Sequence, residues 1–197
     1  MRLLLASRSA ARRQMLEAAG VPFEVVGSEV DEEAEKQRLR EQGLGPAELA
    51  RALAELKARA VAKPEAALVL GCDQTLELAD GGSFDKPGSR AAAKVQLKAL
   101  SGSAHQLHSA AVILEVGAPA WHHTESVTLH MRVLSNAFLD DYLDREYEAI
   151  RHGVGGYRIE GLGAQLFDRI DGSYFAILGL PLLPLLAYLR TRGLLAS

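Results

Sequence analysis

Residues 68–87 read LVLGCDQTLELADGGSFDKP. The continuous apolar run over 67–71 predicts a strand buried on both faces. It ends on a single acid, Asp73. Asp80-Gly81-Gly82-Ser83 is a turn signal, and Lys86 stands before Pro87 on its far side. A carboxylate at a strand end is either a metal ligand, a general base, or the cap of the next turn. One acid and one lysine at opposite ends of a hairpin can face the same ligand.

Working outward, Leu3–Ala6 reads as a first strand, and Ser9 caps a helix that Gly20 ends. Phe23–Val26 is a short strand, and the charged stretch 31–43 reads as solvated. Pro46 opens a helix to about Ala62, with Leu49, Leu53 and Leu56 on one face. Ser89–Leu100 is expected to be helical. Leu107–Val116 and Ser126–Leu134 are expected strands, the second with Val127, Leu129, Met131 and Val133 alternating. Asn136 caps a helix to Ile150, glycines lead into a segment over Gln165–Ile170, and a buried helix closes the chain from about Pro181 to Arg192. Interspersed helices, strands and hairpins give an α/β fold with a mixed sheet. No repeat or low-complexity linker marks a domain boundary, so 1–197 reads as one domain.

The totals exclude several classes. The chain has 197 residues, 48% hydrophobic and 24% charged, as in an ordinary globular protein. A net charge of −3 gives no general attraction to nucleic acid. No apolar run reaches the ~20 residues of a membrane span, and the first residues lack the core of a signal peptide. The single cysteine, Cys72, fits a reducing cytoplasm.

Three further stretches could carry chemistry. In LLLASRSAARR a strand runs through a Ser-rich turn into a helix start. Its free N–H groups, Ser7, Ser9 and an arginine (Arg12 or Arg13) suit a phosphate, or the stretch is simply a capped surface helix. In SEVDEE, the acids Glu29, Asp31, Glu32 and Glu33 either hold a divalent ion beside phosphates or form a solvated face. In GGYRIEG, Glu160 lies between glycines that let a backbone approach a ligand, or sits in a tight turn. Rival chemistries fail on residue type. An Asp-x-Asp-x-Thr phosphatase would need its nucleophile at Gly71. Cys72 reads as a small buried residue, and His122 and His123 lack a zinc-site context. There is no Walker A or GxGxxG motif.

Taken in order, these stretches resemble the Maf family of nucleoside triphosphate pyrophosphatases. LLLASRSAARRQMLEAAGVPFEVVGSEVDE is similar to the family opening LILASxSPxRRxLLexxgxxFEvxxxxvDE. LARALAELKARAVA resembles its second block, with a Lys-Ala pair at Lys57-Ala58. The stretch quoted first resembles the GxDxxxxxdGxxxxKP block, and LSGSAHQLHSAAVI the LSGxxHxvxTgvav block. GGYRIEGLGAQLFDRIDGSYFAILGLPLLPLL resembles the ending GxYxIqGxGaxxxxxIxGxyxxvvGLPL. Gly153-Val154 replaces the family's usual Lys-Ala before the last block.

The resemblance implies an elongated α/β fold with a mixed, curved central sheet and two lobes flanking a cleft. It implies hydrolysis of a nucleoside triphosphate to the monophosphate and pyrophosphate, with Mg²⁺ or Mn²⁺ as cofactor. In that reading Asp73 is the catalytic acid, with Lys86 beside it as a charge-stabilising group. Lys57, Ser7, Ser9 and Arg12 or Arg13 bind phosphate, and Glu32 and Asp31 join Asp73 on the metal. Ala11, Gln74 and Glu160 occupy positions tied to base choice. Gln74 and Glu160 resemble the 7-methyl-GTP branch, whereas Ala11 departs from its usual tryptophan. The implied substrate is 7-methyl-GTP or a broad set of triphosphates. The alternatives are a dTTP/UTP-type enzyme or a non-catalytic regulator of septum formation. The resemblance implies a cytoplasmic enzyme, with a homodimer as its assembly.

Overall fold

The structure, a computed structural model, describes residues 2–61 and 67–196. Seven strands form one mixed sheet: β1 (Arg2–Ala6), β2 (Glu24–Val25), β3 (Ala67–Leu78), β4 (Ser83–Phe84), β5 (Ala104–Glu115), β6 (Ala118–Met131) and β7 (Phe167–Asp171). The order is β2-β1-β3-β5-β6-β7, with β4 paired to β3. β1 lies parallel to β2 and β3, while β3–β4 and β6–β7 are antiparallel. Among the described residues seven α-helices accompany them: α1 (Ala10–Ala18), α2 (Glu32–Glu41), α3 (Pro46–Val61), α4 (Arg90–Leu100), α5 (Asn136–Ile150), α6 (Tyr174–Ile177) and α7 (Leu182–Thr191). The expected α/β class and mixed sheet are therefore present. No described helix is long and apolar enough to cross a membrane.

The chain separates into two compact units, each made of discontinuous segments. The first contains Met1–Gln74, His108–Glu125 and Ser173–Ser197. Its sheet is covered on both faces. On one face Leu3, Leu5, Leu68, Leu70, Ala111 and Ile113 pack with Leu16 of α1 and Leu185 and Leu189 of α7. On the other, Leu4, Ala6, Val69 and Val112 meet Ala50, Ala54 and Ala58 of α3. The four-residue spacing of those alanines gives α3 a smooth stripe that can lie close to the strands. A second stripe of α3, Leu49 and Leu53, packs on Leu39 of α2.

The second unit contains Thr75–Leu107 and Ser126–Gly172. α4 packs on α5, burying Leu97, Leu100, Leu139, Tyr142 and Leu143. His105 bonds to the Tyr157 hydroxyl at 2.6 Å, and Phe167 meets the Tyr157 ring edge-on.

Several expectations change in detail. β3 does not stop at Asp73 but continues to Leu78. Nothing in Asp73–Leu78 breaks a strand, and Leu76 and Glu77 pair with Phe84 and Ser83 across the Asp80–Ser83 turn. Residues 31–43 are mostly a helix, α2, and Lys36 and Leu39 in it are buried rather than solvated. The α5 cap is Ser135, whose hydroxyl accepts from the Phe138 N–H, so Asn136 is the first helical residue. Val133 lies past the end of β6 and is exposed. The expected last residue of α3, Ala62, falls outside the described residues.

Candidate active site

The first unit gathers its polar residues around the middle of β3. Gly71 and Asp73 share the strand face that meets α3, because strand side chains alternate. A Cβ at Gly71 would lie 1.9 Å from the Ala54 carbonyl oxygen. Only glycine permits this approach of helix to strand. The approach sets Lys57, three residues after Ala54, against Asp73. Lys57 Nζ donates to Asp73 Oδ1 at 2.5 Å and lies 2.9 Å from Glu32 Oε1. Lys57 and Asp73 are each about nine-tenths buried, with side chains 7% exposed, while Glu32 is 35% exposed. Asp73 Oδ2 is buried without a hydrogen-bond partner. A buried carboxylate oxygen left unpaired is costly, so its retention points to a ligand.

The Ser-rich turn after β1 is tied to the same strand. The Ser9 hydroxyl accepts from the Arg12 N–H at 3.4 Å and caps α1. The Ser7 hydroxyl accepts from the Ser9 N–H and from Arg12 Nη1, both at 3.3 Å. Arg12 is buried, donating Nη1 to the Cys72 carbonyl at 3.1 Å and Nε to the Gly179 carbonyl at 2.7 Å. Arg13 is exposed and pairs with Glu17 at 3.7 Å. Of the two arginines, Arg12 is the one grouped with Ser7, Ser9 and the residue preceding Asp73.

Other expected residues have different settings. Asp31 caps α2, its Oδ1 accepting from the Ala34 N–H at 3.1 Å, and is exposed. Ala11 is half-buried in the first turn of α1. Gln74 Nε2 donates toward Ser109 Oγ (2.9 Å) and the carbonyls of Ala176 (2.9 Å) and Ile177 (3.0 Å). Its two N–H groups are committed to the protein, leaving Oε1 as the side chain's recognition atom. Lys86 and Glu160 belong to the second unit, Lys86 exposed between β4 and α4 and Glu160 exposed in the turn before Gly161. Burial pushes the Cys72 thiol up to about 11, so it is no nucleophile at neutral pH.

Sequence reasoning missed the residues that build this geometry. Gly71 was legible only as part of an apolar run, and Ser109 only as part of a strand. The signal for close packing was present in Ala50, Ala54 and Ala58, spaced one helical turn apart.

A divalent ion fits this donor set. Mg²⁺ takes hard oxygen ligands, commonly one or two carboxylates completed by substrate phosphates and water. Asp73 and Glu32 supply two carboxylates that converge on one point, and Asp73 Oδ2 has no protein partner. Among the described residues no group of three His, Cys, Asp or Glu converges as a complete protein cage.

These features define an α/β protein with a buried carboxylate–lysine site beside a serine-and-arginine turn at a helix start. The chain belongs to the Maf family: the family described as Maf-like protein matches residues 2–192. It is 48% identical over 194 residues to a nucleoside triphosphate pyrophosphatase of Ruegeria pomeroyi, covering 98% of this chain and 97% of that one. It is 49% identical to the protein of the same name from Paramagnetospirillum magneticum, over 96% and 98% of the two chains. The protein of that name from Caulobacter vibrioides is 48% identical, over 97% and 96%. The solved structure of a HAM1 protein from Coxiella burnetii aligns with 66% of this chain and 73% of its own at 17% identity and TM-score 0.42, too weak a likeness to bear on fold or function.

Proposed function

We propose that this protein hydrolyses a nucleoside triphosphate between its α- and β-phosphates, releasing the monophosphate and pyrophosphate. The observation that carries this reading is Asp73, about nine-tenths buried, with one oxygen held by Lys57 and the other without a partner. A protein that only bound nucleotide would have no use for such an acid, which weighs against a purely regulatory role. The relatives' shared name supports the choice of reaction.

In this mechanism Asp73 Oδ2 accepts a hydrogen bond from the attacking water and takes its proton as the bond to the α-phosphorus forms. Before substrate binds, Lys57 holds the carboxylate through Oδ1, so that Oδ2 keeps one direction. Charge developing on the phosphate oxygens is met by Lys57, by Arg12 and by the α1 N-terminus with Ser7 and Ser9. Lys86 adds positive charge, and Arg13 is the weaker candidate because it pairs with Glu17. A bound Mg²⁺ or Mn²⁺, held by Asp73 and Glu32, would neutralise phosphate charge and ease ionisation of water. Asp31 serves that site by capping the helix that carries Glu32.

For the base, Glu160 offers a carboxylate that accepts from the N1–H and exocyclic amine of guanine, and Gln74 offers Oε1 as an acceptor. On that basis the substrate is 7-methyl-GTP or a broad range of nucleoside triphosphates, with a dTTP/UTP-type enzyme as the alternative. The setting is cytoplasmic, in keeping with one buried, unpaired cysteine.

Pyrophosphate release should be measured on purified protein with Mg²⁺ or Mn²⁺ against 7-methyl-GTP, GTP, UTP, dTTP, CTP and ATP. Release from at least one triphosphate, lost in Asp73→Asn, is expected. Absence of release across the panel would overturn the reaction, and a pyrimidine preference would overturn only the base assignment.

A further inference from the structure

Lys57 occupies the point on which Asp73 and Glu32 converge, with Nζ 2.5 Å from one carboxylate and 2.9 Å from the other. That is where a divalent ion shared by the same two carboxylates would sit, at about 2.1 Å from each oxygen for Mg²⁺. An ammonium and a divalent ion cannot share that position: at short range in a buried site their repulsion is large. We propose that Lys57 is a resident cation that competes with the metal for Asp73 and Glu32, and that it leaves them for the substrate's phosphates when metal and nucleotide arrive together. The inference rests on the metal-dependent reading of this site.

Three observations favour exchange over a fixed ion pair. Lys57 is anchored to the protein only through a flexible four-carbon stem, which lets the ammonium move while α3 stays in place. α3 cannot itself move closer to the strand, because the Ala54 carbonyl already lies against Gly71. Asp73 keeps Oδ2 buried and without a protein partner, so Lys57 does not saturate the acid and a second cation can be accommodated as the first departs. The consequence is coupling. Without nucleotide, the metal must displace a buried ammonium from both of its carboxylate partners. With nucleotide, the ammonium gains phosphate oxygens, so metal and substrate favour each other's binding.

The test is metal binding, not turnover. Mn²⁺ binding to nucleotide-free protein is followed by the electron paramagnetic resonance of free Mn²⁺, for wild type, Lys57→Met and Lys57→Met/Glu32→Gln. Lys57→Met removes the competitor but leaves both acids. Its Mn²⁺ affinity is expected to rise at least tenfold over wild type, with a melting temperature that climbs with Mn²⁺. The double variant should lose most of that gain. If Lys57→Met is unfolded because its two carboxylates have lost their shared ammonium, Mn²⁺ is expected to restore its fold, which supports the same conclusion. Unchanged or weaker Mn²⁺ binding in Lys57→Met, or an unfolded variant that Mn²⁺ does not rescue, would overturn the proposal. Pyrophosphate release by the wild type is scored separately, so the exchange can fail while the reaction stands.

Discussion

Asp73 and Arg12 divide the work of the first unit between chemistry and support. Asp73 has an oxygen to spare, whereas Arg12 Nε and Nη1 are tied to the protein's own oxygens. Asp73→Asn keeps the shape but removes the base and half the attraction for Lys57. Its rate of pyrophosphate release is expected to fall about 10²–10⁴-fold, with an unchanged circular dichroism spectrum. Arg12→Ala strips donors from the Cys72 and Gly179 carbonyls, both in buried surroundings. It should destabilise the protein by about 3 kcal/mol in urea unfolding, a larger effect than Arg13→Ala, which breaks only an exposed pair. Asp73 was legible in the sequence because a lone acid interrupts an apolar strand. The partnership with Lys57 was not, since the two are brought together by packing between α3 and β3 rather than by any local spacing. The choice between Arg12 and Arg13 was also beyond the sequence: both lie in the first turns of α1, and only the packed sheet decides which one turns inward.

At the level of elements, the contact between α3 and β3 decides whether the site exists. Gly71→Ala would drive a methyl group into the Ala54 carbonyl, 1.9 Å from the ideal Cβ. α3 must then shift, at about 3 kcal/mol, and Lys57 shifts with it. The variant is expected to lose both stability and activity, whereas Ala54→Gly, on the opposite side of the contact, should leave the separation intact. The β5–β6 hairpin offers a control far from these residues in sequence. Its loop residue Val116 has φ +50° and is followed by Gly117 at φ +77°, the paired left-handed conformation of a tight hairpin turn. A β-branched side chain is poorly suited to it, and Val116 is exposed. Val116→Asn is expected to raise stability by about 1 kcal/mol, read as a higher urea midpoint. The element types were largely legible, since periodicity and caps such as Ser9 and Ser89 are local signals. The lengths were not: β3 outran its apolar run because Asp73 and Thr75, although polar, find buried places in the sheet.

For the whole molecule, the chain passes between the two units four times, three of them within β3, β5 and β6, at Gln74/Thr75, Leu107/His108 and Glu125/Ser126, and the fourth at Gly172/Ser173 after β7. A boundary inside a strand leaves no glycine, proline or charge run to mark it, which is why those three were not legible in the sequence, and Gly172 alone does not stand out among the many glycines of the chain. The second unit carries a buried group that responds to acid. In the second, burial chiefly, helped by His130, lowers His105 from 6.5 to about 4. His105 is therefore neutral in the folded protein, while in the unfolded chain it takes up a proton near pH 6.5. Its contribution is complete above about pH 6.5 and is lost as pH falls from there toward about 4, to a total of about 3 kcal/mol. Urea unfolding at pH 7.5 and 4.5 should show a smaller acid-induced loss in His105→Gln than in wild type. An equal loss in both would remove His105 from the explanation.

The measurement that bears most directly on the reaction is the fate of the attacking oxygen. Hydrolysis of the preferred triphosphate in H₂¹⁸O, followed by mass analysis of both products, locates the bond that forms. Water activated by Asp73 at the α-phosphorus places ¹⁸O in the nucleoside monophosphate and leaves the pyrophosphate unlabelled. Label in the pyrophosphate would put the attack on the β-phosphorus and contradict the proposed chemistry. Release of inorganic phosphate in place of pyrophosphate would contradict it as well.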